Sequence, residues 1–126
     1  VETQLMRHLA VAACLAAITL LSACAALPSS PGTYDDFAQC LAEENATFYG
    51  AYWCPNCAEQ KQMFAGSDDQ LDYVECSLPN RGGQTAICQQ KNINAYPTWI
   101  FDDGERREGV LSLQDLADKT GCELPE

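Results

Sequence analysis

Trp53-Cys54-Pro55-Asn56-Cys57 carries two thiols separated by two residues, where an uncharged aromatic run ends and a helix-like pattern begins. Cysteines at this spacing can cycle between dithiol and disulfide, supply half of a zinc site, or form a small structural bridge. Position separates these readings. The first-turn N–H groups of a helix lack intrahelical partners and the helix dipole is positive there, so a thiolate at Cys54 is favoured. Pro55 fits the first turn, where its missing N–H is not needed. Cys57, one turn on, faces inward and can attack a mixed disulfide held on Cys54. A zinc site built from Cys54, Cys57, Cys76 and Cys88 would lack the usual second close-spaced pair. A purely structural Cys54–Cys57 bond would close too short a loop to restrain the unfolded chain much. Redox chemistry is the stronger reading.

The rest of the composition narrows the field. The chain has 126 residues, seven Lys and Arg against 18 Asp and Glu, and a net charge of −11. That length suits one domain, and that charge disfavours nucleic acid and anionic lipid as electrostatic partners. Eight cysteines are too few for a scaffold held by disulfides alone, yet many for a reducing compartment. No phosphate loop, Ser triad or His cluster occurs, and the single His8 belongs to the basic start of the chain. Neither a cofactor nor a metal is expected.

Arg7 and His8 precede an uncharged apolar run, 9–21, of signal-peptide length. Leu21-Ser22-Ala23-Cys24 then resembles the lipobox of bacterial lipoproteins, which implies a lipidated Cys24 as the mature N-terminus. An uncleaved membrane anchor or an ordinary cleaved signal are the alternatives. All three place the remainder outside the cytoplasm, membrane-anchored in the first two cases. The expected organisation is signal 1–24, a Pro/Ser/Gly tether 25–33, and a folded domain 34–126. With Cys14 and Cys24 set aside, Cys40, Cys54, Cys57, Cys76, Cys88 and Cys122 remain, an even number as pairing requires.

The dithiol needs a strand before it and a helix after it, and the patterning supplies both. Thr33-Tyr34-Asp35-Asp36 has a capping-box pattern and opens a helix with Phe37 and Leu41 on one face. Residues 46–53 read as a buried strand and 54–65 as a helix with Cys57, Lys61 and Phe64 on one face and Gly66 as its stop. Residues 71–76 alternate as a second strand, 79–83 form a loop and 84–91 a short helix. Residues 98–102 and 106–110 form a hairpin around Asp103-Gly104. Ser112-Leu113-Gln114-Asp115 caps a last helix, with Leu113, Leu116 and Ala117 inward and Gly121 at its end. The first and last helices are expected on opposite faces of the sheet, which counts against a Cys40–Cys122 bond and leaves the pairing of those two open.

WCPNC after a hydrophobic strand, followed by Tyr96-Pro97-Thr98 at the next core strand and Gly109 before the last helix, resembles the thioredoxin-like family. The segments FYGAYWCPNCAEQKQMF, YVEC, Cys88, YPTW and SLQDLADKTG are similar, in order and spacing, to the thioredoxin-like domain fused to bacterial and plant vitamin K epoxide reductase homologues. The resemblance implies an α/β fold, a central four-stranded mixed sheet flanked by helices, with Pro97 in the cis form beside the dithiol. It implies catalytic Cys54 and Cys57, a substrate groove of Trp53, Pro55, Tyr96 and Pro97, and a second, structural disulfide between Cys76 and Cys88, where two separate buried thiols are the alternative. It further implies thiol–disulfide exchange with exported thiol-containing proteins, and a quinone-linked membrane vitamin K epoxide reductase homologue as electron acceptor. Oxidation of substrate thiols is the favoured direction. Reduction or isomerisation, or a non-catalytic binding module on the same fold, are the competing readings. Two departures bear on direction: no carboxylate lies in 47–52, where the thioredoxin family often buries one, and Asn56 stands where close relatives often carry His.

Overall fold

The computed structural model describes residues 32–126. The expected signal, the lipobox with Cys24, and most of the tether lie outside the described residues. Eight helices and strands follow in the order α1 (Asp35–Glu43), β1 (Thr47–Gly50), α2 (Pro55–Gln62), β2 (Asp72–Glu75), α3 (Ala86–Gln90), β3 (Thr98–Ile100), β4 (Arg106–Glu108) and α4 (Leu113–Thr120). The sheet order is β2-β1-β3-β4. β1 pairs parallel with β2, and the β1–β3 and β3–β4 pairs are antiparallel. A four-stranded mixed sheet with flanking helices is a thioredoxin-like α/β fold.

Alternation along β1 divides the core, because successive side chains point to opposite faces of a sheet. Phe48 stacks on its cross-strand partner Trp99, with ring centroids 5.0 Å apart, and meets Tyr73 edge-on at 5.1 Å. Phe37 and Leu41 of α1, Cys57 of α2 with Phe64 beyond its end, and Leu116 of α4 pack into this same cluster. Tyr49 points the other way, to a smaller cluster with Cys76, Cys88 and Ile93.

This arrangement corrects the expectation for the first and last helices. α1 and α4 share one cluster, so Cys40 and Cys122 come within 5.9 Å between Cα atoms and form a disulfide. Gly121 explains the approach: at φ +80° it ends α4 in the left-handed conformation that glycine tolerates, and its N–H bonds to the Ala117 carbonyl. The chain then turns back toward α1.

Three local expectations also change. The capping box at Thr33 does not form. Asp35 spends its carboxylate on the Gly32 N–H at 2.7 Å, while Ser67 Oγ accepts from the Tyr34 N–H at 3.3 Å. The first strand stops at Gly50 rather than at 53, because Ala51 turns out to accept the Cys54 N–H at 3.0 Å. α2 ends at Gln62 rather than at 65, followed by tighter turns whose N–H groups, from Phe64 and Ala65, reach back three residues. The Ser112 cap does form: its Oγ accepts from the Asp115 N–H at 3.0 Å and its hydroxyl lies 2.6 Å from the Asp115 carboxylate.

Candidate active site

Cys54 is the N-cap residue of α2 and Pro55 its first helical residue, so the strand-to-helix turn delivers a thiol to the helix's positive end. Cys54 and Cys57 are free thiols, 8% and 2% exposed. Cys54 is therefore the one an incoming sulfur meets first, and Cys57 lies behind it. The Tyr96–Pro97 peptide bond is cis, and the Tyr96 carbonyl stands 3.6 Å from Cys54 Sγ, which donates to it. Burial pushes the Cys57 thiol up to about 12. A backbone hydrogen bond with Ala51 lowers it, the neighbouring Cys54 raises it, and the Lys61 charge lowers it.

Of the residues expected to form a groove, Trp53 and Pro55 flank Cys54 in the chain and Tyr96 brings its carbonyl to the sulfur. Trp53 is 36% exposed and meets Tyr96 edge-on with centroids 6.0 Å apart. Pro97 is buried and Pro55 exposed. Trp53 is fixed from behind by its Nε1–H, which donates to Ser77 Oγ at 2.8 Å, and the Arg81 guanidinium lies 5.2 Å from its ring centre. Tyr52, more exposed still, accepts the Arg81 N–H at 3.1 Å through its hydroxyl. The segment after β2 thus forms one wall beside the dithiol. That segment is held at both ends by the Cys76–Cys88 disulfide, whose sulfurs are fully buried in the second cluster. With those two cysteines bonded to each other, they are not available as the remaining thiolates of a zinc site.

Several site residues escape sequence reasoning. Gly50 is one: a Cβ there would lie 2.9 Å from Cys57 Sγ and 3.0 Å from Tyr73 Cε2, so the absence of a side chain is what lets the thiol and the ring meet over β1. Glu75, opposite Gly50 in the β1–β2 register, accepts from the Tyr73 hydroxyl at 2.7 Å, the Ser77 N–H at 2.8 Å and the Tyr52 N–H at 3.2 Å. One carboxylate therefore ties β2 to the turn before Cys54. Burial, and then that Glu75 bond, hold the Tyr73 phenol protonated far above its usual range. Lys61 lays its ammonium 3.7 Å over the centre of the Tyr73 ring. Gln60 is fully buried: its amide donates to the Leu111 carbonyl at 3.0 Å and accepts from the Leu111 N–H at 2.8 Å and the Trp99 indole N–H at 3.2 Å. It anchors α2 to β3 and to the segment before α4. The sequence signals for these are the FYGAYWCPNCAEQKQMF and YVEC segments, which contain them without assigning them a role, and the placement of Lys61 on the Cys57 face.

Among the described residues no group of three or more His, Cys, Asp or Glu side chains is arranged to hold a metal, and no helix is long and apolar enough to cross a membrane. The arrangement can carry thiol–disulfide exchange: one reachable sulfur at a helix start, a second within bonding reach behind it, and an aromatic rim.

No protein-family model matches the chain. Over 93 residues, 71% of this chain, it is 38% identical to the thiol-disulfide oxidoreductase LTO1 of Arabidopsis thaliana. Those residues make up 24% of that protein, so the chain spans about a quarter of the length of the curated relative it matches.

Proposed function

We propose that this chain is a thiol–disulfide oxidoreductase in which Cys54 exchanges with substrate sulfur and Cys57 completes the exchange. The observation that carries the reading is the pair of free thiols at the start of α2, the outer at its N-cap and the inner one turn behind, while the other four described cysteines are bonded in pairs. The similarity to a plant thiol-disulfide oxidoreductase supports it.

In the oxidising direction a substrate thiolate attacks Cys54 Sγ of the Cys54–Cys57 disulfide, and the bonding pair leaves on Cys57. A second substrate thiolate then attacks the substrate sulfur bound to Cys54, closing the substrate disulfide and releasing the Cys54 thiolate. The protein has gained two electrons, and an acceptor must remove them. The substrates in this reading are thiols of exported proteins, met at the rim of Trp53 and Tyr96. The acceptor is a membrane vitamin K epoxide reductase-like protein, and the domain is tethered outside the cytoplasm through a lipidated Cys24. The N-terminal apolar run with its lipobox-like end supports the tether.

The test is a pair of variants mixed with a cysteine-containing peptide disulfide. Cys54→Ser should abolish exchange, and Cys57→Ser should accumulate a peptide adduct on Cys54, seen by intact mass. Undiminished exchange by Cys54→Ser would overturn the reading in favour of a binding module. The wild-type potential then decides direction: a value near about −120 mV marks an oxidant, one near about −270 mV a reductant.

A further inference from the structure

Cys57 must carry negative charge in either direction of the exchange. As the resolving group it attacks as a thiolate; as the partner in the attacked disulfide it leaves as one. The groups facing it are the Ala51 backbone, the Cys54 sulfur and Lys61 of α2, and the ring of Tyr73 from β2, whose hydroxyl is held by Glu75. Tyr73 is held as a neutral phenol, and among the described residues Lys61 is the side chain that brings positive charge to this sulfur.

Its position is built. Lys61 lies four residues beyond Cys57 on α2, the spacing at which helical side chains are neighbours. Its ammonium is seated on the Tyr73 ring at 3.7 Å, the ring edge meets Cys57 over the bare Cα of Gly50, and the phenol is fixed by Glu75 at 2.7 Å. A cation held on a partly buried aromatic face keeps its charge in one place instead of sweeping through solvent. No carboxylate stands in β1, the strand before the dithiol, and the groups that favour the thiolate are the Ala51 hydrogen bond and the Lys61 charge.

We propose that Lys61, seated by Tyr73 and Glu75, adds its charge to the Ala51 backbone hydrogen bond in stabilising the Cys57 thiolate during exchange. The inference rests on the proposed exchange at Cys54. In the oxidising direction the Cys54–Cys57 bond breaks as the substrate sulfur bonds to Cys54, the electron pair leaves on Cys57 beside Lys61, and water then protonates that sulfur. In the reverse direction Cys57 gives its proton to water, its sulfur bonds to Cys54, and the pair leaves on the substrate sulfur.

The test follows alkylation of Cys57 by iodoacetamide in the mildly reduced Cys54→Ser protein, at about pH 8 to 10, where rate tracks thiolate fraction. Lys61→Met should slow it roughly three- to tenfold and displace its pH profile upward, since a lost neighbouring cation disfavours the charged form. Lys61→Arg should restore it. In the protein with both thiols, Lys61→Met should slow single-turnover oxidation of a thiol peptide by a similar factor and Lys61→Arg should not. An unchanged Cys57 rate in Lys61→Met, or an equal loss in Lys61→Arg, would overturn the inference. Either result could stand beside intact exchange by the unsubstituted protein, whereas exchange that survives Cys54→Ser would instead sink the functional reading.

Discussion

Cys54 and Cys57 lie three residues apart in the cluster under α1, α2 and α4, while Cys76 and Cys88 lie 12 apart in the cluster on the other face of the sheet. The first pair is free and its outer member keeps 8% of its surface; the second is bonded and fully buried. Burial alone does not separate them, because Cys57 is nearly as enclosed as Cys76. What differs is the approach. Cys54 caps a helix at a turn whose rim is aromatic and open, whereas Cys76 continues the β1–β2 ladder through its N–H to the Gly50 carbonyl at 2.8 Å and faces a closed cluster. The same element is a reagent in one place and a brace in the other, and the brace holds the loop that forms the reagent's wall.

The sharpest break of this contrast is chemical. Cys54→Ser should eliminate exchange, while a Cys76→Ala/Cys88→Ala double variant should still exchange with a small disulfide. A second loss of activity from the double variant, with its fold intact by circular dichroism, would make the brace part of the chemistry. Stability orders the remaining bonds. Removing Cys40–Cys122, which spans 82 residues, should cost about 4–5 kcal/mol in denaturant unfolding, and removing Cys76–Cys88 about 3 kcal/mol, following loop-closure entropy. A reversed order would show that local packing, not chain restraint, sets their worth.

Gly50→Ala should destabilise by about 1–3 kcal/mol, because the new methyl would press on Cys57 Sγ and the Tyr73 ring. Its effect should exceed that of Ser112→Ala, which removes a helix cap worth about 1 kcal/mol. The mildest contrast is in alkali. With the Cys57 thiol raised to about 12 when folded and near ~8.5 when unfolded, its contribution is fully present below the unfolded value and is lost as pH rises through the folded one. Unfolding curves should therefore show the reduced protein losing stability above about pH 9 that the Cys54–Cys57 disulfide form keeps.

The legible part of this molecule was local. The order of elements, the helix beginning at the dithiol, the Ser112 cap and the Gly121 stop each depend on residues within a few positions of one another. Thr33 shows the limit even there, since its cap pattern lost to Asp35 and Ser67, one of them 33 residues away from the Tyr34 N–H it holds. The shared side of α1 and α4 was not legible, because either helix could have crossed to the other face with the same amphipathic stripe. Gly50, Glu75 and Gln60 were hidden for the same reason. A glycine ending a strand, a glutamate in an alternating strand and a glutamine on a helix look ordinary until Cys57, Tyr52 and Leu111 are brought against them.

Alkylation mapping by peptide mass after mild reduction tests the division of labour among the cysteines most directly. Cys54 should be modified first and Cys57 more slowly, with Cys40, Cys76, Cys88 and Cys122 unmodified until the protein is unfolded. Labelling of Cys76 or Cys88 as fast as Cys54, or a folded protein in which Cys54 resists the reagent, would contradict it.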